Sequence, residues 1–326
     1  MYGLVERMDP DVAYQLAHRC YREMVQAGIQ TVGEFHYLRH HVTDQLDFVL
    51  DQAVIQAAHD AGIELVLLPA AYEEGGPGMD LSTAQQRFVS GGFRRYWERF
   101  DQLQGMLRSG QSMQACVHSL RAVPWDQVQR HVVEAHRRGL KLHVHLEEQP
   151  RELAEIKAAY GAHPVRLLLD SGHPIEHLVG VHMTHTPELQ VVEWIERGAT
   201  ILPCPLTEGD LGDGVPILPD HPRLNQQLAL GTDSNLRISM FEEMRRLEHD
   251  QRGRTLRRGA LRCGGDAPAE VLWHAASTGG RLALGLSELG PSLSINQMHH
   301  LLTPTQDSSL LDALVFGGDE RVFESE

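Results

Sequence analysis

The sequence lacks the features that mark several broad classes of protein. It has no surplus of basic residues, because 29 Lys and Arg stand against 44 Asp and Glu, a formal net charge of -15 with neutral His. That charge argues against a nucleic-acid or membrane partner, since both attract basic patches. No apolar run reaches the length of a membrane span, and no signal-peptide pattern follows Met1. We therefore expect a cytoplasmic protein that acts on a small molecule, and whether it forms a homodimer is left open.

Cysteine is scarce, with four residues in a chain of 326. The four are far apart and form no Cys-x-x-Cys pair: Cys20, Cys116, Cys204 and Cys263. A disulfide framework is therefore not expected, and a reducing compartment suits the chain. Apolar residues make up 42% of the sequence, which is enough to bury the core of one large α/β domain or two ordinary ones.

Short apolar runs alternate with amphipathic helical segments along most of the chain. The runs are Ile29–Phe35, Glu64–Pro69, Met113–Ser119, Leu140–Leu146, Leu178–Thr184, Ala199–Pro203 and Leu228–Ser234. The helical segments include Asp11–Ala27, Asp44–Ala61, Trp125–Arg138 and Pro187–Arg197. A glycine that tolerates positive φ separates helix from strand at four junctions, Gly28, Gly62, Gly139 and Gly198. This α/β alternation predicts a parallel sheet and, through its repetition, a (β/α)8 barrel. A doubly wound sheet is the alternative, although no glycine fingerprint for a nucleotide supports it.

The count is seven strands, whereas a (β/α)8 barrel closes with eight. Because the chain opens with a helix, we interpret residues 1–286 as a barrel that lacks its first strand. The alternation is lost after Ser287, so residues 287–326 are predicted to form an irregular tail. The polar loop Glu73–Gly92 is predicted either to cover a site or to be a solvated insertion.

Polar residues stand at the ends of five predicted strands. The ends read Glu34-Phe35-His36-Tyr37, His118-Ser119-Leu120-Arg121, His143 to Gln149, His182-Met183-Thr184-His185 and Gly231 to Asn235. A single His at such a position is usually structural, and an isolated Asp233 is readily explained as a helix N-cap. Five such cases among seven predicted strands favour a functional site, because chemistry in a parallel barrel lies at the carboxyl ends of the strands. Imidazole and carboxylate donors together suit zinc or iron.

Several of these stretches resemble the amidohydrolase superfamily and, within it, the formimidoylglutamate deiminases. The similar stretches are EFHYLRHH (Glu34–His41), VHSLRAVP (Val117–Pro124), HVHLEEQP (His143–Pro150), VHMTHT (Val181–Thr186), CPLTEGDLGDG (Cys204–Gly214) and GTDSN (Gly231–Asn235). The resemblance extends over about residues 1–285. It implies a TIM-type barrel of the metal-dependent hydrolase kind. The implied cofactor is a divalent metal, zinc or iron, and the implied reaction gives N-formylglutamate and ammonia in histidine degradation.

The resemblance also implies a role for each matching residue. His145 would bind the metal, and Glu148 would shuttle protons. His182 would lie beside the metal and polarise the attacked group. Asp233 would bind the metal and accept a proton from water. His118, Arg121 and Tyr37 would face the substrate, with Arg121 as a clamp for its carboxylate.

One family feature has no counterpart in the sequence. Family members carry a His-x-His pair on the first strand as two metal ligands, and neither the His40-His41 pair nor the His299-His300 pair takes its place. With His145, Asp233 and His182 as a candidate third ligand, we expect the 326-residue chain to bind metal weakly and to turn over little substrate. Two alternatives stay open, a guanine deaminase or chlorohydrolase-like aminohydrolase and a catalytically inactive remnant.

Overall fold

A curled parallel β-sheet flanked by helices is the frame of the protein. The computed structural model describes residues 5, 7–40, 47–303 and 309–323. The strands are β1 (Thr31–His36), β2 (Glu64–Ala71), β3 (Ser112–Met113), β4 (Ala115–Ser119), β5 (Leu142–Leu146), β6 (Leu178–His182) and β7 (Thr200–Leu202). The helices are α1 (Pro10–Gln26), α2 (Val49–Ala61), α3 (Phe93–Gln104), α4 (Trp125–Arg138), α5 (Pro150–Tyr160), α6 (Pro164–Asp170), α7 (Glu188–Glu196), α8 (Pro205–Leu211), α9 (Met240–Thr255), α10 (Pro268–His274), α11 (Gly280–Ala283) and α12 (Leu310–Gly317).

Strands that follow one another along the chain are neighbours in the sheet. The order is β1-β2-β4-β5-β6-β7, with β3 also paired to β2, and each pair is parallel. Parallel neighbours need a crossover, which the intervening helices supply. All carboxyl ends of the strands therefore lie at one end of the sheet. The predicted α/β barrel of the amidohydrolase kind is confirmed.

The third predicted strand, Met113–Ser119, is divided in the structure. Its first part, β3, pairs with β2, and the rest forms β4. Gln114 stands between them, where its backbone N donates to Leu67 and its side chain accepts a hydrogen bond from the backbone N of Lys141 at 2.8 Å. At Gln114 the N–H of Lys141 thus meets a side-chain oxygen where a backbone carbonyl would be its partner in a regular sheet, and β3 and β4 are separate strands on either side of this residue.

The prediction of a full seventh strand over Leu228–Ser234 was wrong. A single parallel bridge joins Leu228 to Ile201, and the backbone N of Gly231 donates to Pro203 at 3.1 Å. The partner strand β7 is only three residues long. At Asp233 the backbone enters the left-handed region, with φ of 42°, and this conformation ends strand pairing.

The predicted junctions between helix and strand agree with the structure. Gly28, Gly62, Gly139 and Gly198 all have positive φ, between 69° and 83°, which confirms the interpretation of these glycines. The predicted helix Asp44–Ala61 begins at Val49 among the described residues, and residues 44–46 lie outside the described part of the chain.

The predicted irregular tail contains helix α12. Its Leu314 and Val315 are buried in the main core, and Phe323 stacks on Phe241 with ring centroids 5.6 Å apart. The apolar side chains of this segment therefore pack on the barrel. The division at residue 286 remains a prediction.

Two further observations concern the cysteines and the helix lengths. All four thiols are free. None of the described helices is both long enough and apolar enough to cross a bilayer.

Candidate metal centre

A cavity of about 860 Å³ extends along the inside of the sheet, from residues before β1 such as Gly28 and Gln30 to the carboxyl ends of the strands. Its wall includes residues of β1, β4, β5 and β6 and the turn after Leu230. All seven site residues predicted from the sequence line it: Tyr37, His118, Arg121, His145, Glu148, His182 and Asp233. The structure therefore brings the predicted set together in one place.

Three of these residues form a cluster that is suited to a metal ion. One potential ligand atom from each of His145, His182 and Asp233 lies within 4.8 Å of the other two. Two imidazoles and one carboxylate are a donor set that zinc and iron accept, and three protein ligands are the usual number in catalytic zinc sites. His182 was predicted from the sequence only as a candidate third ligand. In the structure its ring lies with His145 and Asp233 in one cluster.

Two members of this cluster have backbone conformations that are rare for residues with a side chain. His182 has a φ of 70° and Asp233 a φ of 42°, and Met183 beside His182 has a φ of 55°. Left-handed non-glycine residues cost free energy and concentrate at functional sites, where the surrounding structure holds them. Both residues line the cavity, His182 from the end of β6 and Asp233 from the segment on the far side of β7.

Two rings stack on the ring of His145. The ring centroid of Phe35 is 4.1 Å from that of His145, and the ring centroid of His182 is 5.3 Å from it. Burial lowers the pKa of His145 well below its usual range, and the nearby His118 adds to the effect. The imidazole is therefore neutral at physiological pH, which is the state that binds a metal.

His182 has a carboxylate partner that the sequence analysis did not identify. Oε1 of Glu208 lies 3.3 Å from Nδ1 of His182, and both side chains are buried. This contact leaves Nε2 of His182 for a ligand, which is the arrangement that orients metal-binding histidines. Oε1 of Glu208 also accepts a hydrogen bond from the backbone N–H of Cys204, just before α8, with 2.7 Å between N and O. Glu208 is the fourth residue of a helix that begins at Pro205, and an acidic residue in the first turn was the available signal, since it suits the positive end of a helix.

Glu148, which was predicted to shuttle protons, is paired with Arg121, the predicted carboxylate clamp. Nη2 of Arg121 lies 3.7 Å from Oε2 of Glu148. Burial raises the pKa of Glu148 above its usual range, although His182 and Arg121 lower it. The backbone N of Glu148 donates to the buried Glu152 at 3.0 Å, which fixes the loop after β5.

His118 is next to His145, with ring centroids 5.1 Å apart, and is surrounded by aromatic side chains. Tyr37 and Tyr72 meet it edge-on, with centroids 5.3 and 4.8 Å away. Phe88, from the loop Glu73–Gly92, packs on Tyr37 at 5.0 Å, so this loop does contribute to the cavity. Burial and the nearby Arg121 lower the pKa of His118 to about 3, so its ring is neutral.

Other histidines near the strand ends have structural partners. Nε2 of His143 lies 3.0 Å from the carbonyl O of Ala283, and a ring nitrogen of His40 lies 2.6 Å from that of Val89. Because of its contact with Val89, His40 is not a member of the metal cluster. His41 lies outside the described residues.

Comparison with known proteins places this site in a family. The profile of the Amidohydrolase family matches residues 2–291. The chain belongs to the amidohydrolase family. A formimidoylglutamate deiminase from Pseudomonas aeruginosa is 33% identical to this amidohydrolase over an alignment of 338 positions, which covers 98% of the chain and 73% of the relative. A 5-methylthioadenosine/S-adenosylhomocysteine deaminase from Pelotomaculum thermopropionicum is 25% identical over 293 residues, covering 89% of the chain and 61% of the relative.

Solved structures share the fold of this amidohydrolase. An amidohydrolase from Brucella melitensis superposes with a TM-score of 0.87 at 28% identity, covering 100% of this chain and 76% of that one. An adenosine deaminase from Xanthomonas campestris with bound zinc gives a TM-score of 0.76 at 21% identity, covering 97% of this chain and 68% of that one. These likenesses agree with the curled sheet and its helices.

Proposed function

We propose that the cavity catalyses hydrolysis of the formimino group of N-formimino-L-glutamate, with a divalent metal as cofactor. The reaction consumes water, breaks the bond between the amidine carbon and its terminal nitrogen, and releases N-formylglutamate and ammonia. The observation that carries the proposal is the convergence of the metal cluster, Glu148 and Arg121 on one cavity. The similarity to the Pseudomonas formimidoylglutamate deiminase supports the choice of substrate. Such an activity belongs to histidine degradation in the cytoplasm.

The residues present fit a metal ion of the zinc type. His145, His182 and Asp233 would hold it, because their donor atoms lie within 4.8 Å of one another. Bound there, the ion supplies Lewis acidity that makes water a stronger nucleophile near neutral pH. Glu208 holds His182 by its Nδ1, and Phe35 limits the rotation of the His145 ring. Zinc is our choice, with iron as the alternative.

Arg121 would bind the substrate through a carboxylate of its glutamate part. The guanidinium presents paired N–H donors that match a carboxylate, and its buried Nε has no hydrogen-bond partner among the described residues. Its contact with Glu148 is long for a hydrogen bond, at 3.7 Å, so that an incoming carboxylate is able to compete. Tyr37 and His118 would close the apolar side of the substrate pocket.

Glu148 would carry the proton that the leaving nitrogen needs. Its buried position raises its pKa, which brings a carboxylic acid closer to the working pH of a general acid. Asp233 would accept the proton that the attacking water loses. The amidine carbon would have to lie between these two carboxylates, inside the cavity that both of them line.

The decisive assay is ammonia release from formiminoglutamate by the purified 326-residue chain, with zinc and iron measured on the same sample. Because the His-x-His pair has no counterpart in the sequence, we expect little release from the chain as purified, and we expect that release to scale with bound metal, to be lost on chelation and to increase with added zinc. Guanine and 5-methylthioadenosine serve as comparison substrates, and we expect neither to be turned over. Chain that holds stoichiometric metal and releases no ammonia from formiminoglutamate would contradict the proposal and favour an inactive remnant. Preferred turnover of guanine would favour the aminohydrolase alternative.

A further inference from the structure

A second group of potential metal ligands lies away from the cavity. His136 is in the last turn of α4, and Glu176 and His177 immediately precede β6. One ligand atom from each of the three lies within 4.8 Å of the other two. The group is therefore at the amino-terminal end of the strands, where barrels carry features of stability more than of catalysis.

His177 has the environment of a metal ligand. It is only 8% exposed, and its Nε2 lies 3.0 Å from the carbonyl O of Val132. Donation to that carbonyl places the proton on Nε2 and leaves Nδ1 as a lone pair. Nδ1 is buried and has no hydrogen-bond partner among the described residues. A histidine that donates one nitrogen to a backbone carbonyl and offers the other is the usual arrangement at metal sites.

The other two side chains are accessible and already in contact. Nδ1 of His136 lies 3.3 Å from Oε1 of Glu176, and the side chains are 46% and 52% exposed. The rings of His136 and His177 are 5.3 Å apart. Exposure on one side leaves room for water to complete a tetrahedral shell. The backbone of His177 is fixed as well, because its carbonyl accepts the N–H of Leu142 at 3.0 Å.

We propose that His136, Glu176 and His177 form a second divalent-metal site, for zinc or a cation of similar softness. Two imidazoles and a carboxylate are donors that zinc prefers, and magnesium or calcium would prefer oxygen alone. Burial lowers the pKa of His177 to about 4, so its lone pair is available at neutral pH. Lys141 acts against the site, because its ammonium also attracts Glu176. A bound ion would tie the end of α4 to the loop before β6.

The test is zinc stoichiometry of the full chain by equilibrium dialysis, in four proteins. These are the wild type, Asp233→Ala, which disables the first cluster, Glu176→Gln, and the double variant. We expect Glu176→Gln to remove one zinc equivalent from both the wild type and Asp233→Ala. If the first cluster binds no zinc, the wild type binds one equivalent and Glu176→Gln none. Failure of the proposed function is thus distinct from failure of this site.

Two further measurements make the result decisive. Zinc is expected to raise the Tm of Asp233→Ala but not that of the double variant, because only the former retains the second site. His136→Gln should repeat the effect of Glu176→Gln. His59→Gln is the matched control, since His59 is an exposed histidine in the last turn of α2, and it should leave the stoichiometry unchanged. Unchanged zinc content in both Glu176→Gln and His136→Gln would overturn the proposal.

Discussion

Oε1 of Glu208 lies 3.3 Å from Nδ1 of His182 and also accepts a hydrogen bond from the backbone N of Cys204 at 2.7 Å. The second oxygen, Oε2, is buried without a hydrogen-bond partner among the described residues. One carboxylate thus connects the start of α8 to the orientation of a candidate metal ligand. Burial lowers the pKa of the His182 ring, but the hydrogen bond and the charge of Glu208, together with the charges of Glu148 and Asp233, outweigh it and raise that pKa above its usual value.

Replacing Glu208 with Gln should weaken zinc binding without unfolding the chain. The amide oxygen retains an acceptor for the N–H of Cys204, but the negative charge beside His182 is lost. Loss of such a partner typically lowers metal affinity by about 10–100-fold. Competition with a chelating dye measures the affinity. Asp210→Asn, an exposed change on the same helix, is the control and should bind zinc as the wild type does. Equal affinities for Glu208→Gln and wild type would remove Glu208 from this role.

Replacing Glu148 with Gln should lower kcat while bound metal stays unchanged. The amide cannot transfer the proton, and general acid-base residues typically contribute about 10²–10⁴-fold to the rate. Ammonia release and metal content are measured on the same preparation. A parallel loss of metal would instead make Glu148 a ligand, and an unchanged kcat would exclude it as the proton carrier.

Replacing Arg121 with Ala should chiefly affect substrates that carry the glutamate part. Losing a charge-assisted pair with a buried partner costs about 2–5 kcal/mol, which corresponds to roughly 30-fold to several thousand-fold in kcat/KM. Formamidine, which has the reacting group and no carboxylate, should lose much less. Arg151→Ala is the control, because Arg151 is 83% exposed in its side chain. Equal losses for both substrates would show that Arg121 acts through Glu148 and not as a clamp.

His131 should make the chain less stable at acid pH. The ring is fully buried beside Phe93, Tyr96 and Trp97, and neither nitrogen has a hydrogen-bond partner among the described residues. Burial, with a contribution from Arg130, lowers its pKa to about 3. The unfolded chain, with a pKa near 6.5, therefore binds the proton first. Stability is lost as the pH falls from about 6.5 towards 3, and the loss reaches about 2 kcal/mol at pH 5.

The measurement is urea unfolding of wild type and His131→Leu between pH 5 and pH 8. The variant should lack this part of the acid sensitivity, so that its stability relative to wild type rises as the pH is lowered. His59→Gln, at an exposed site, should follow the wild type. Parallel curves for wild type and His131→Leu would show that the ring is protonated in the folded state.

Gly279 should not tolerate a methyl group. A Cβ at this position would lie 2.2 Å from the carbonyl O of Leu228, on the segment that leads to Asp233. Backbone must then move, and such overpacking typically costs about 1–3 kcal/mol. Gly280→Ala is the matched control, because its Cβ would meet only an atom 3.7 Å away. The control should be neutral or slightly stabilising, by up to about 1 kcal/mol. Urea unfolding compares the two, and equal stabilities would contradict the predicted clash.

The sequence by itself determined the α/β alternation and the polar strand ends, and its resemblance to a family implied the roles of the site residues. Apolar runs, amphipathic helices and glycines at positive φ are local signals, because they depend on hydrogen bonds and sterics within a few residues. The site followed from topology: parallel strands end at one side of a sheet, so polar strand ends such as His145 and His182 must meet there.

Tertiary structure alone decided the features that depend on contacts distant in sequence. The close approach of Gly279 to the carbonyl O of Leu228 is one such contact. The single bridge in the seventh predicted strand, which ends before the positive φ of Asp233, is another feature that the sequence did not predict. The partnership of Glu208 with His182 joins two separate segments, and so does the group of His136 with His177. Neither pair has a local sequence pattern, because the two residues of each pair are far apart in sequence and meet only through the positions of their helices and strands in the fold. Packing against the barrel likewise orders α12, whose short apolar sequence is a weak helix signal without a surface to cover it.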